Sequence, residues 1–258
     1  MAIVLELDNQ DLQQFLRTAA RYGTERYGYV VTPNADHLIR YHDDPAFRAT
    51  YADAQFVLSD SRFLSYLLAV SKGLRIPVCA GSDLTAELFA NVALPDDRIV
   101  LVGGTAEQAA SLTQKYRLTN LQHINPPMGF INDPAAVASV IEFIERQSPF
   151  RFCLLAVGCP RQEMLAQRLK QRGIARGLAL CIGASVDFLT GQERRAPRVL
   201  QKLGLEWMFR LLQSPRRLGG RYLVRGPRVF NVLRQVEIRV KSESAPLQVE
   251  AAGEALPD

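Results

Sequence analysis

The sequence predicts an α/β fold, a mostly parallel sheet with helices on both faces, followed by a basic helical C-terminal appendage. Three observations carry this. Short apolar runs alternate with longer stretches of 3.6-residue apolar periodicity. The residues just after each apolar run are glycines, prolines and small polar types. Finally, 13 Lys or Arg against two acids lie between Arg194 and Lys241, leaving 18 basic and 24 acidic residues elsewhere, so the net charge of +5 hides a local basic block. Strands alternating with helices argue for parallel pairing covered on both sides.

In chain order, residues 2–7 are expected as an edge strand and 8–22 as a helix with Leu12, Phe15, Leu16 and Ala19 on one face. Tyr27-Gly28-Tyr29-Val30-Val31 is a β-branched and aromatic strand closed by Thr32-Pro33-Asn34. Helices are then expected over 35–54, 61–72, 84–92, 106–116, 134–147 and 161–172. Strands are expected over 56–58, 99–102, 121–124, 152–157 and 178–182. Beyond Gly191 the character changes: Leu200, Leu203, Trp207, Met208, Leu211 and Leu212 share a helical face, with Lys202, Glu206 and Arg210 away from it. This face suits either the core, another subunit or a membrane surface. The expected organisation is a main domain over 1–193, the appendage over 194–241 and a disordered acidic tail over 242–258, which carries four acids and no Lys or Arg.

With 48% hydrophobic residues in 258, the chain can bury a sizeable core. Its four cysteines form no Cys-x-x-Cys pair and three lie in or beside apolar runs, which favours reduced thiols over disulfides or zinc. The start lacks a basic region followed by an apolar one, and no apolar run is long enough to span a bilayer. A cytoplasmic location is therefore expected. The basic block calls for an anionic partner, whether nucleic acid, lipid headgroups or a diphosphate.

Ligands of open parallel sheets sit outside the carboxyl ends of the strands. The stretch Leu154 to Glu163 is the sharpest such place: an apolar strand, a Gly158 turn, and Pro160 expected at the first helical position, with Arg161, Gln162 and Glu163 in the first turn. Backbone N–H groups and the positive end of the helix dipole make this a cradle for phosphate. No Asp-x-Asp is available to hold a cation on a diphosphate, and His37, His42 and His123 lack metal-ligand spacing, so no metal and no cofactor is expected. Gly103-Gly104-Thr105 lacks the third glycine of a dinucleotide fingerprint, which disfavours an oxidoreductase. A non-enzymatic nucleotide- or RNA-binding module is the alternative. It is disfavoured by the few aromatics among the basic residues, and no nucleic-acid partner is expected.

Taken together the motifs are specific. Val31 to Ala35 followed by Ala54 to Asp60, Ala80 to Leu84, Pro126 to Phe130, Gly158 to Glu163, Gly183 to Phe188, and Arg195-Ala196-Pro197 through Gly204 to Trp207 resemble the WecG/TagA/CpsF glycosyltransferases in order and spacing, over residues 27–223. The resemblance implies a Rossmann-like catalytic domain with a C-terminal appendage. It also implies an inverting, metal-independent hexosyltransferase that moves a sugar from a UDP-sugar donor to a polyprenyl-diphosphate-linked acceptor in exopolysaccharide or cell-envelope synthesis. Such an enzyme would sit peripherally on the inner membrane face, against anionic lipid, with a homo-oligomer left open. Asp60 matches the family's acid, a catalytic base here, although an N-cap for the helix starting near Ser61 is the plainer reading. Thr32 and Asn34 match positions facing the donor sugar, and Gln162 would bond its hydroxyls. Gly103, Gly104, Gly158 and Gly183 would admit the nucleotide between strand ends, with Pro160 and Arg161 beside it. Asp83 or Glu163 would hold ribose or cap helices, and Arg210, Arg217 and Arg221 would clamp the diphosphate. Two departures stand out. Asp60 is followed by Ser61-Arg62-Phe63 rather than by glycine, and the family's Arg-Val-Thr-Gly is here Val78-Cys79-Ala80-Gly81. Arg62 is the expected replacement for the missing arginine, and the donor is open between the N-acetylmannosamine type, glucose and a uronic acid.

Overall fold

The computed structural model describes residues 2–241. The expected tail over 242–258 lies outside the described residues. The chain begins with β1 (Ile3–Leu7) and α1 (Leu12–Arg21), which is capped by a reciprocal Asp11–Gln14 box. Next come β2 (Tyr27–Val31), α2 (Ala35–Asp43), α3 (Pro45–Ala52) and β3 (Phe56–Val57). The single helix expected over 35–54 is two: Asp44, held extended before Pro45, ends the first and caps the second. Then follow α4 (Arg62–Lys72), α5 (Gly81–Asn91), β4 (Ile99–Val102), α6 (Ala106–Tyr116), β5 (Leu121–Ile124), α7 (Pro134–Arg146), β6 (Phe152–Leu155), α8 (Arg161–Arg172), β7 (Gly177–Cys181) and α9 (Ser185–Leu189).

Six strands form one parallel sheet in the order β3-β2-β7-β6-β4-β5, so all carboxyl ends lie on one edge. Alternate strand residues feed two cores. Val30, Leu101, Leu154 and Leu180 pack with helices α1, α5, α6 and α9 on one face. Val31, Val100, Leu155 and Ala179 pack with α2, α3, α4, α7 and α8 on the other. That double burial explains why the strands read as continuous apolar runs rather than as an alternation.

The C-terminal segment differs from the expected single amphipathic helix. It runs α10 (Arg198–Lys202), α11 (Glu206–Gln213), α12 (Pro215–Gly219), an irregular helical stretch over Gly220–Arg225 and Gly226–Arg228, α13 (Val229–Gln235) and β8 (Val236–Val240). The break before α11 falls at Gly204, whose φ of 71° belongs to the left-handed region. Its last part is core rather than lid. Val229, Val232, Leu233, Val236 and Ile238 are buried in the same cluster as α2 and α4. β8 pairs in parallel with β1, from Ile3 opposite Val236 to Leu7 opposite Val240. The expected N-terminal edge strand therefore belongs to a separate two-stranded sheet closed by the C-terminal segment.

Candidate functional site

A cleft of 710 Å³ opens over the carboxyl ends of β3, β2, β7 and β6, and the chain from Gln201 to Phe230 covers it. Thr32, Asn34, Asp60, Arg62, Gly158, Gln162, Gly183, Arg210, Arg217 and Arg221 all line it. The sequence-predicted Asp83, Gly103, Gly104, Pro160, Arg161 and Glu163 do not.

Asp60 sits on the floor, half-buried, at the end of β3. It does not cap its own helix: Ser61 is the N-cap of α4, its hydroxyl accepting from the Leu64 N–H at 3.1 Å. Instead, Asp60 Oδ1 accepts from the Gly81 N–H at 2.6 Å, at the N-terminus of α5. Oδ2 lies 3.5 Å from Asn34 Nδ2. Burial pushes the carboxyl pKa up, against the Gly81 donor, which pulls it down. A Cβ on Gly81 would stand 3.3 Å from Thr32 Oγ1 and 3.5 Å from Asp60 Oδ1, so a glycine there lets the two strand ends and α5 meet.

Asn34 is spoken for on both sides. Its Oδ1 caps α2 through the Asp36 and His37 N–H groups at 3.1 and 3.3 Å, which turns Nδ2 toward Asp60. Gln162 is likewise engaged within the protein: it is 4% exposed, Oε1 accepts from Gly183 N–H at 3.0 Å, and Nε2 donates to Glu163 at 2.8 Å. It ties the β6 and β7 loops together rather than pointing a free amide at a sugar. Pro160 is the N-cap of α8, one position earlier than expected. Arg161 leaves the cleft toward Met128 Sδ at 3.8 Å.

Strand order accounts for Gly103 and Gly104. β4 lies beyond β6, so Gly103 and Gly104 open away from the cleft. Gly103, at φ 97°, serves packing instead, because a Cβ there would stand 2.8 Å from the Ala156 carbonyl oxygen. Glu163 lies behind the floor and is 1% exposed. Asp83 ion-pairs with Arg195 and, at 3.5 Å, with Arg62, fastening the start of the C-terminal segment to α5. It is not free for ribose.

The covering segment rests on aromatic contacts. Trp207 packs near Phe63 and Tyr222 at 6.3 and 6.0 Å between ring centres, and the Gly204 backbone lies against Phe63. From this cover Arg210 and Arg217 reach Glu193, the first at 3.8 Å, and Arg221 reaches Asp36 at 3.2 Å. Arg210 also lies 5.4 Å over the Phe188 ring. Arg210 Nε and Trp207 Nε1 are buried donors without an acceptor among the described residues. Sequence reasoning missed Arg225, Phe188, Trp207 and Tyr222 as cleft residues. The arginine-rich run was visible, but which of its residues face inward depends on helix breaks that no single period reveals. His37 was set aside for lack of local metal spacing, and its partners, Cys159 and Glu163, lie just before and within α8.

The arrangement sets the Asp60 carboxylate on a floor roofed by guanidinium groups, with the Asp36 and Glu206 carboxylates also lining the cleft. A family model described as glycosyl transferase WecG/TagA/CpsF matches residues 2–242. Two solved structures are similar at low identity. One is described as the selenomethionine-substituted structure of domain of unknown function 1792, 11% identical over 93% of this chain and 96% of that one, with a TM-score of 0.44. The other is described as showing that this domain has a distinct glycosyltransferase fold. It is 10% identical over the same shares, with a TM-score of 0.42.

Proposed function

The chain belongs to the WecG/TagA/CpsF family of glycosyl transferases, and from that premise we propose that it moves a sugar from a UDP-sugar to a polyprenyl-diphosphate-linked glycan, with inversion, at the inner membrane face. The observation that carries the reading is the opposition of Asp60 on the floor to the arginines of the cover. In the proposed step, Asp60 takes the proton of an acceptor hydroxyl as its oxygen bonds to the anomeric carbon. The bond from that carbon to the donor phosphate oxygen breaks on the opposite face, and UDP leaves into the guanidinium groups. Arginines thus take the role a bound cation plays on a diphosphate elsewhere.

Leu223, Val224 and Phe230 support a membrane-facing mouth: each is more than half exposed and they alternate with Arg225 and Arg228. The test is UDP release from a panel of UDP-sugars, with a polyprenyl-diphosphate-sugar acceptor in vesicles of anionic or neutral lipid. One UDP-sugar should turn over, faster on anionic vesicles at low salt. No release from any donor of the panel would refute the reading.

Replacing Arg217 and Arg221 together by alanine should lower kcat/KM by about 100-fold, because each removes a charge-assisted contact to the leaving group. Lysine at both positions should restore part of it, since a point charge survives while the planar fork does not. Unchanged kinetics in the alanine variant would remove these arginines from the mechanism.

A further inference from the structure

Three side chains from separate elements converge at the floor of the cleft. His37 in the first turn of α2, Cys159 before α8 and Glu163 in its first turn each offer a ligating atom, all within 4.8 Å of one another. Glu163 Oε1 accepts from Gln162 Nε2 and lies 3.4 Å from His37 Nε2. Its Oε2 is buried and has no hydrogen-bond partner among the described residues. A carboxylate oxygen shut away from water with no donor is a place that a cation would satisfy.

We infer that His37, Cys159 and Glu163 form a site for a thiophilic divalent cation of the Zn²⁺ class, with its fourth position open to the cleft. The donor set selects the metal: one thiolate, one imidazole and one carboxylate suit zinc, whereas Mg²⁺ and Ca²⁺ take oxygen ligands. Zinc bonds of about 2.0–2.3 Å place tetrahedral ligands roughly 3.3–3.8 Å apart. The His37–Glu163 pair already has that spacing, and Cys159 must close by at most about 1 Å, which a side-chain rotation supplies. His37 and Cys159 line the cleft while Glu163 stands behind them, so the open vertex faces the donor space.

Cys159 gives its thiol proton to solvent on binding. Ligation through His37 Nε2 leaves the ring proton on Nδ1, which cannot then accept from the Asn34 N–H 3.4 Å away. Asn34 also holds Asp60. Metal binding at His37 therefore acts on a residue that also touches Asp60.

Co²⁺ added to the metal-free, reduced full-length protein reads the site directly. One equivalent should give a thiolate-to-cobalt charge-transfer band, displaced by Zn²⁺. Cys159→Ser should abolish the band, and Glu163→Gln should weaken Zn²⁺ binding about tenfold or more. If either variant fails to fold, His37→Gln carries the same reading, since it keeps the thiol and removes a ligand. No band in the native protein would overturn the inference. So would a band that survives Cys159→Ser, for Cys181, the other cysteine at the cleft, would then be the ligand.

Discussion

Asp60→Asn should lose about 10²–10⁴-fold in transfer while keeping donor affinity, the range expected when a general base is removed and its shape retained. The amide oxygen can still accept from Gly81 N–H, while the new NH₂ takes the place of the oxygen that faced Asn34 Nδ2. The raised pKa of Asp60 adds two signatures. In the native enzyme, kcat/KM should fall on the acid side with an apparent pKa above the ordinary carboxylate range, because only the ionised form takes the proton. A carboxyl raised on folding contributes stability below its unfolded pKa, and that contribution is lost as pH rises through its folded pKa. At neutral pH the ionised, buried Asp60 is thus a cost that asparagine lacks. The native protein's melting temperature, taken relative to the variant's, should therefore fall as pH rises through the Asp60 pKa. Transfer unchanged in Asp60→Asn would assign the base elsewhere.

A chain ending at residue 228 should not fold. The lost residues include Val229, Val232, Leu233, Val236 and Ile238, all buried in the main core, and β8 is the partner of β1. At about 1.5–3 kcal/mol for each buried aliphatic side chain, the loss is roughly 7–15 kcal/mol, as large as the whole stability of a typical domain. Circular dichroism and the loss of a cooperative thermal transition would show it. A soluble, cooperatively melting truncated protein would mean that the C-terminal strand is dispensable. The consequence for the site is practical: the cover cannot be examined by deleting everything after Arg194, and substitutions in the Arg210–Arg225 stretch are the proper probe.

The sequence by itself determined the α/β class, the position of most elements and the strand-end segments that carry polar residues. It did so because burial on two faces and capping are local properties, written in runs such as Ile99–Val102 and in caps such as Thr105 with Gln108. It also singled out Asp60, whose motif is short and contiguous. Strand order was decided only in three dimensions. With β4 outside β6, Gly103 and Gly104 fall away from the cleft, although they sit at a strand end as Gly158 and Gly183 do. The assignment of partners was decided there too: Asp83 to Arg195, Glu193 to Arg217, and Gln162 to Gly183 and Glu163. Asp83, Arg217 and Gln162 looked like free ligand groups along the chain, because a polar side chain shows its chemistry in sequence but not who satisfies it. The same holds for His37, Cys159 and Glu163, which neither period nor spacing connects, and which only the packing of α8 beside α2 and α3 brings together.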